Sequence, residues 1–182
     1  MKSIGLCFLL LAMVCSAAEP ERALTEFREN NFGCRFSHSK SITIAYNPHG
    51  RANFIPISWN GKPFGALHIR DLPPASTDEE FISKGKAYFQ KEFNASSIEH
   101  RFHENPKQFK FHVFTIRMTH KETHFIIERF VHFRRKNKEA TLAREILAEK
   151  FGSFEFEFLA SDTDYPSLKP EIDILINTFK LE

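Results

Sequence analysis

The segment Phe154-Glu155-Phe156-Glu157-Phe158 alternates aromatic and acidic residues without a break. Side chains of a strand point to opposite faces in turn, so the three Phe residues share one face and the two Glu the other. The segment therefore reads as a strand with one buried and one solvated side. Downstream, after Asp162-Thr163-Asp164, the residues Leu168, Ile172, Leu175, Ile176 and Phe179 recur at helical spacing. Ser167 is placed to cap that helix and Pro170 falls in its first turn. Upstream, Leu142, Ala143, Ile146, Leu147 and Phe151 predict another helix, which Gly152 is placed to end.

Farther out, Phe109–Met118 and His124–Arg134 are rich in aromatic and branched residues, and predict a long antiparallel hairpin through Thr119–Thr123. Ile98–His103 reads as a short strand closed by Asn105-Pro106. Phe54–Trp59 and Lys62–Arg70 flank Asn60-Gly61, a strong hairpin signal that faces Trp59 with Lys62 and Ile57 with Phe64. Ser76-Thr77-Asp78-Glu79 reads as a capping box of Ser76 and Glu79, opening a helix with Phe81, Gly85, Tyr88, Phe89 and Phe93 on one stripe. Phe32/Cys34/Phe36 and Ile42/Ile44/Tyr46 form two bursts of strand-like alternation, and Pro20 to Asn30 reads as a short helix. Strands and helices do not alternate regularly. The expected fold is a single α+β domain, an antiparallel sheet packed by helices as an α/β/α-type sandwich.

The N-terminus carries the clearest address. Lys2 precedes an apolar stretch from Ile4 to Val14, and Ser16-Ala17-Ala18 offers small residues for cleavage. Residues 1–18 read as a signal peptide and 19–182 as the domain, in a secreted or periplasmic protein. The apolar stretch is short of the roughly 20 residues a spanning helix needs, so the mature chain is not expected to span a membrane. Lipidation at Cys15 is the weaker alternative to cleavage after Ala18, because Val14 stands where a small residue is wanted. Cleavage leaves Cys34 as the only thiol, expected to be buried between Phe32 and Phe36. The 182 residues carry a formal net charge of +2, which gives no electrostatic case for nucleic acid.

Phe154-Glu155-Phe156-Glu157-Phe158-Leu159-Ala160-Ser161 leads through Asp162 to Tyr165-Pro166, then to Ile172–Ile176 and Asn177-Thr178-Phe179-Lys180. This late strand, acidic-aromatic loop and C-terminal helix resemble the PsbP/Mog1/DcrB-like superfamily. The Phe32–Pro48 segment, ending in Tyr46-Asn47-Pro48, resembles the start of the same group. The resemblance implies an antiparallel sheet between helices and a binding or assembly role without catalysis. No functional residue is carried over from it.

Among chemistry-bearing residues, the histidines come first. With a three-residue loop in the Thr119–Thr123 turn, His120 faces His124 and His112 faces His132, and such pairs can converge on zinc or copper. A two-residue turn breaks both pairings. His100 and His103, three apart, lack a third ligand at a recognised spacing. Glu155 and Glu157, roughly 7 Å apart by strand rise, invite comparison with an acid/base pair, although a solvated face explains them more simply. Asp162 and Asp164 lack the rest of a calcium loop and suit helix capping. The basic run Arg134-Arg135-Lys136-Asn137-Lys138 reads as a solvated strand end. There is no Gly-x-Ser-x-Gly, Cys–His signature or Walker loop, and no cofactor is expected. The sequence favours an exported, non-enzymatic protein that binds an envelope or extracellular partner. The alternative is a His-based metal-binding periplasmic protein using His112, His120, His124 and His132, and the third reading is a hydrolase using Glu155 and Glu157.

Overall fold

A computed structural model of the protein describes residues 23–30, 32–45, 53–70, 77–133 and 153–182. Its frame is a seven-stranded sheet, antiparallel throughout. The strands are β3 (Ile42–Ile44), β4 (Phe54–Trp59), β5 (Lys62–Arg70), β6 (Ser97–Glu104), β7 (Lys110–His120), β8 (Thr123–Phe133) and β9 (Ser153–Ser161). They lie in the order β3-β4-β5-β9-β8-β7-β6. A three-stranded sheet joins β1 (Thr25–Glu29) and β10 (Lys180–Leu181) to the two sides of β2 (Cys34–His38).

β9 is central, paired with β5 on one side and β8 on the other. Phe154, Phe156 and Phe158 all point into the main core, as their alternation requires. Helix α2 (Tyr165–Thr178) lays Leu168, Ile172, Leu175 and Ile176 on that face, β2 adds Cys34 and Phe36, and Phe32 in the preceding turn joins them. Phe179 ends α2 fully buried, with its ring 5.5 Å from that of Phe156 and 5.6 Å from that of Phe154. Asn105 anchors this end. Its side-chain amide donates to the carbonyls of Ile176 (3.0 Å) and Phe179 (2.9 Å), while its oxygen accepts from the N–H groups of Lys107 and Phe109. Every hydrogen-bonding position of that buried side chain is filled.

The opposite face of the sheet is covered by α1 (Asp78–Phe93), which packs Phe81, Phe89 and Phe93 on Phe114, Ile116 and Ile127. A Cβ added at Gly85 would stand 2.8 Å from Phe114 Cζ, so the missing side chain lets the helix approach the sheet. Helices on both faces make the domain an α/β/α sandwich of the α+β class, as its sequence pattern indicates.

Several local expectations shift. Pro20 to Asn30 is not a helix over its described part: residues 25–29 pair with β2, Phe27 opposite Phe36 and Glu29 opposite Cys34. Strand pairing prevails over the helical reading because it packs the Phe27 ring against Phe36, with centroids 5.1 Å apart. The cap of α1 is Thr77, one residue beyond the expected box, and its hydroxyl accepts from Glu80 N–H. The same spacing holds for Thr77 and Glu80 as for Ser76 and Glu79, and Ser76 lies outside the described residues. The start of α2 is Tyr165, with Pro166 in the first turn, and Ser167 donates its N–H to Asp164 instead of capping. Pro170 accordingly falls inside the helix. The Asn60-Gly61 turn faces Trp59 with Lys62 as expected, both turn residues having positive φ. A register shift after Ile57 then sets that residue against Gly65 rather than Phe64. The signal peptide, Tyr46, the basic run at 134–138 and the helix stripe at 142–151 lie outside the described residues.

Candidate functional site

The hairpin of β7 and β8 closes with a two-residue turn. Lys121 and Glu122 both adopt positive φ, and His120 faces Thr123. His124 therefore faces Thr119, whose hydroxyl lies 2.9 Å from His124 Nδ1, and His112 faces Val131. The turn contains no Gly, Asn or Asp, so its length had no local signal. Both His–His pairings are broken. His120 and His124 sit at the turn, roughly 26 Å along the hairpin from His112 by strand rise. His112 and His132 remain near each other but belong to opposite faces of the sheet. Among the described residues, no three His, Cys, Asp or Glu side chains gather in a metal-holding arrangement.

His112 and His132 do meet one cleft, about 570 Å³ in volume, at the end of the hairpin away from its turn. Asp78, at the first turn of α1, and Lys110, Phe109 and Phe133 complete most of its wall. His112 is 5% exposed, with Nε2 3.4 Å from Asp78 Oδ1, and its Nδ1 has no partner among the described residues. Rings of Phe81, Phe102 and Phe133 surround it edge-on. Burial holds the His112 imidazole below its ordinary pKa against the pull of Asp78; His100, 5.4 Å away between ring centroids, is lowered for the same first reason. On the other side of the strand, His132 lies 3.0 Å from the Lys110 carbonyl through Nδ1, and burial lowers its pKa too. The Lys110 ammonium spans the rim, 3.3 Å from Asp78 and 3.8 Å from the centroid of Phe102. The cleft thus presents an acid, a cation, neutral imidazoles and aromatic rings together. His100 and His103, by contrast, point to opposite faces of β6, and His103 Nε2 lies 3.0 Å from Asn177 Oδ1.

The paired carboxylates depart further from expectation. Glu155 shares the face opposite the three Phe residues, yet it is 4% exposed, and the expected solvated face fails there. Arg129 accounts for it. Its Nε lies 2.6 Å from Glu155 Oε1 and its Nη2 lies 2.7 Å from Glu157 Oε2, so one guanidinium spans both carboxylates. The Phe89 ring of α1 closes over that guanidinium at 4.9 Å. Arg70 Nε stands 3.4 Å from the other Glu155 oxygen, and Arg70 Nη2 donates to His68 Nδ1 at 2.9 Å. Because arginine only donates, Nδ1 must accept and the neutral ring carries its proton on Nε2. Burial, then Arg70 and Arg129, lower the His68 pKa to about 4. Burial pushes the Glu155 carboxyl up, against the attraction of the two arginines. An acid/base pair needs carboxyl groups free to exchange protons with a substrate. Here both are held by one cation, which makes the network a support for the sheet.

No protein-family model and no curated protein matches this sequence. The solution structure of cyanobacterial PsbP (CyanoP) from Synechocystis sp. PCC 6803 is similar with a TM-score of 0.53 at 10% identity, covering 92% of this chain and 97% of that one. The fold is PsbP-like. At that identity the likeness concerns backbone architecture, and the residues of the PsbP-like sheet are this chain's own. Of the cleft residues, His112 and His132 were grouped in sequence as metal ligands, but Asp78 and Lys110 were not legible beside them: they are 32 positions apart and meet only because α1 lies over β7. Arg129 was equally hidden inside an apolar strand, and its position opposite Glu157 depends on a strand pairing more than twenty residues long in sequence separation.

Proposed function

We propose that the protein is an exported binding or assembly module without catalytic activity, and that an envelope or extracellular protein docks in the cleft of Asp78, Lys110, His112 and Phe133. The cleft carries the reading: a rim of exposed Asp78 and Lys110 over aromatic walls suits a protein side chain with both a charge and an apolar part. The PsbP-like fold supports a binding role by analogy, and the Arg129 clamp on Glu155 and Glu157 weighs against the hydrolase reading. The proposed route is export through residues 1–18 with cleavage after Ala18. Among the described residues, no helix is long and apolar enough to cross a membrane.

Amine-reactive crosslinking in the native compartment, followed by mass spectrometry, tests the docking. A stoichiometric protein crosslinked through Lys110 or Lys107, and lost in K110E, is the expected result. No partner, or a partner whose crosslinks avoid this rim, overturns it, and stoichiometric metal in protein purified without a tag would favour the metal-binding alternative. Intact mass of the exported protein tests the leader separately, with a chain starting at Glu19 expected.

A further inference from the structure

The sheet ends differently at its two sides. β3 closes one side with three residues. β6 closes the other with eight residues that pair with β7 in unbroken register, and no described strand lies on its outer edge. β6 contains no proline. Long open edges are usually guarded by prolines, bulges or charged side chains, because their unpaired backbone invites another strand, and the charges of β6 are of both signs.

The backbone of β6 has a definite phase. Asn105 donates its N–H to the carbonyl of its β7 partner Phe109. In an antiparallel ladder this alternates, so odd-numbered residues of β6 turn their N–H and C=O toward β7. Ile98, His100, Phe102 and Glu104 turn theirs outward. The side chains alternate as well: Ile98, His100 and Phe102 lie on the α1 face, Glu99 and Arg101 on the other. Phe102 is 46% exposed, and Glu99 and Arg101 are exposed too.

We propose that β6 pairs antiparallel with β6 of a second copy of this chain, about a dyad through His100, joining the two seven-stranded sheets edge to edge. Only even-numbered residues can exchange backbone hydrogen bonds across this edge, which restricts the registers. With the dyad at His100, the outward-facing Ile98 meets Phe102 of the partner, and His100 meets its own copy. Glu99 then falls opposite the partner's Arg101, and Arg101 opposite the partner's Glu99. Opposite charges directly across a strand pair stabilise it, and like charges destabilise it. Registers centred on Glu99 or on Arg101 would set Glu against Glu or Arg against Arg. Of these three registers, the one centred on His100 alone sets Glu99 against Arg101 on both sides of the dyad. Unlike a guard of uniform charge, this edge admits its own copy.

Sedimentation equilibrium of the purified protein over a range of concentrations tests the pairing. A reversible dimer is expected, weakened at least tenfold in E99R, which sets two arginines against each other while leaving an exposed position on a folded chain. Mixing E99R with R101E is expected to restore dimers, since each variant supplies the charge the other lacks. Arg101 also lies 3.5 Å from buried Glu128, so R101E can cost stability, and amide hydrogen exchange gives a readout on unaltered protein. The Ile98, His100 and Phe102 amides should gain protection as concentration rises, while those of Glu99 and Arg101 stay protected throughout by β7. A protein monomeric at all concentrations overturns the proposal. So does a dimer indifferent to E99R, or one that forms without slowing exchange at the three even-numbered amides.

Discussion

Along β9 the two faces of the seven-stranded sheet are buried by different chemistry. Under α2, Phe154, Phe156, Phe158 and Phe179 fill the space with hydrocarbon, landing there by strand periodicity, and the buried charge of that face, Glu128, sits nearer the β6 edge beside Arg101. On the other face, α1 packs an aromatic patch beside a strip where Arg129 forms ion pairs with Glu155 and Glu157, with Arg70 and His68 at its margin. A glutamate on a strand thus reports its face but not its exposure. Buried charge is tolerated where a partner of opposite charge is placed on the neighbouring strand, and the loss of one partner leaves an expensive orphan.

The sharpest way to break this contrast is to truncate one side chain on each face. F156A should cost about 4 kcal/mol, because a fully buried ring leaves a cavity among other rings that cannot collapse. R129A should cost about 3 kcal/mol for a different reason, the uncompensated Glu155 carboxylate. The difference shows in rescue. The double variant R129M/E155L should return to within about 1 kcal/mol of the unaltered protein, since removing both charges removes the penalty. No second substitution at a charged site should rescue F156A. Urea unfolding of the four proteins checks all of this, and a double variant no better than R129A would mean that the network stabilises more than it costs to bury.

A change of pH probes the charged strip of the α1 face, together with buried imidazoles of both faces, without mutation. The unfolded chain protonates His68 near its ordinary value of 6.5, while the folded chain refuses the proton until about pH 4. Within that window the unfolded state binds more protons, so stability is full above it and is lost as pH falls through it. The loss should reach about 2 kcal/mol after discounting for partial exposure of the ring. Lowered values at His100, His112 and His132 act in the same direction. The raised Glu155 acts in the opposite direction, because the folded chain keeps that proton longer and loses stability as pH rises past the usual carboxylate range. Urea midpoints measured from neutral pH to about pH 5 should fall, and fall less in H68Q. The smallest effect lies at the edge of the α1 face: T77A should cost about 1 kcal/mol in thermal melts by leaving the Glu80 N–H without its hydroxyl acceptor.

Much of the strand and helix pattern was legible because it depends on neighbours in sequence. Asn60-Gly61 specifies its turn through two residues that accept positive φ, and Thr77 caps through a group three positions away. The candidate site was not legible in this way. Lys121-Glu122 adopts the same left-handed geometry as Asn60-Gly61 without residues that favour it, so the pairing of His112, His120, His124 and His132 was open until the long hairpin chose its register. A single residue in that turn decides which side chains face each other over eleven-residue strands.

What the sequence determined by itself was the periodicity of its elements and the α+β class, because alternation and helical stripes follow from backbone geometry acting over a few residues. Only the tertiary structure decided that residues 25–29 form a strand, that β2 and β3 enter different sheets, that Glu155 is buried, and that Asp78 meets Lys110 and His112. Each of these depends on a partner distant in sequence. The energy of strand pairing and of burying a charge resides in that partner, which a local pattern does not contain.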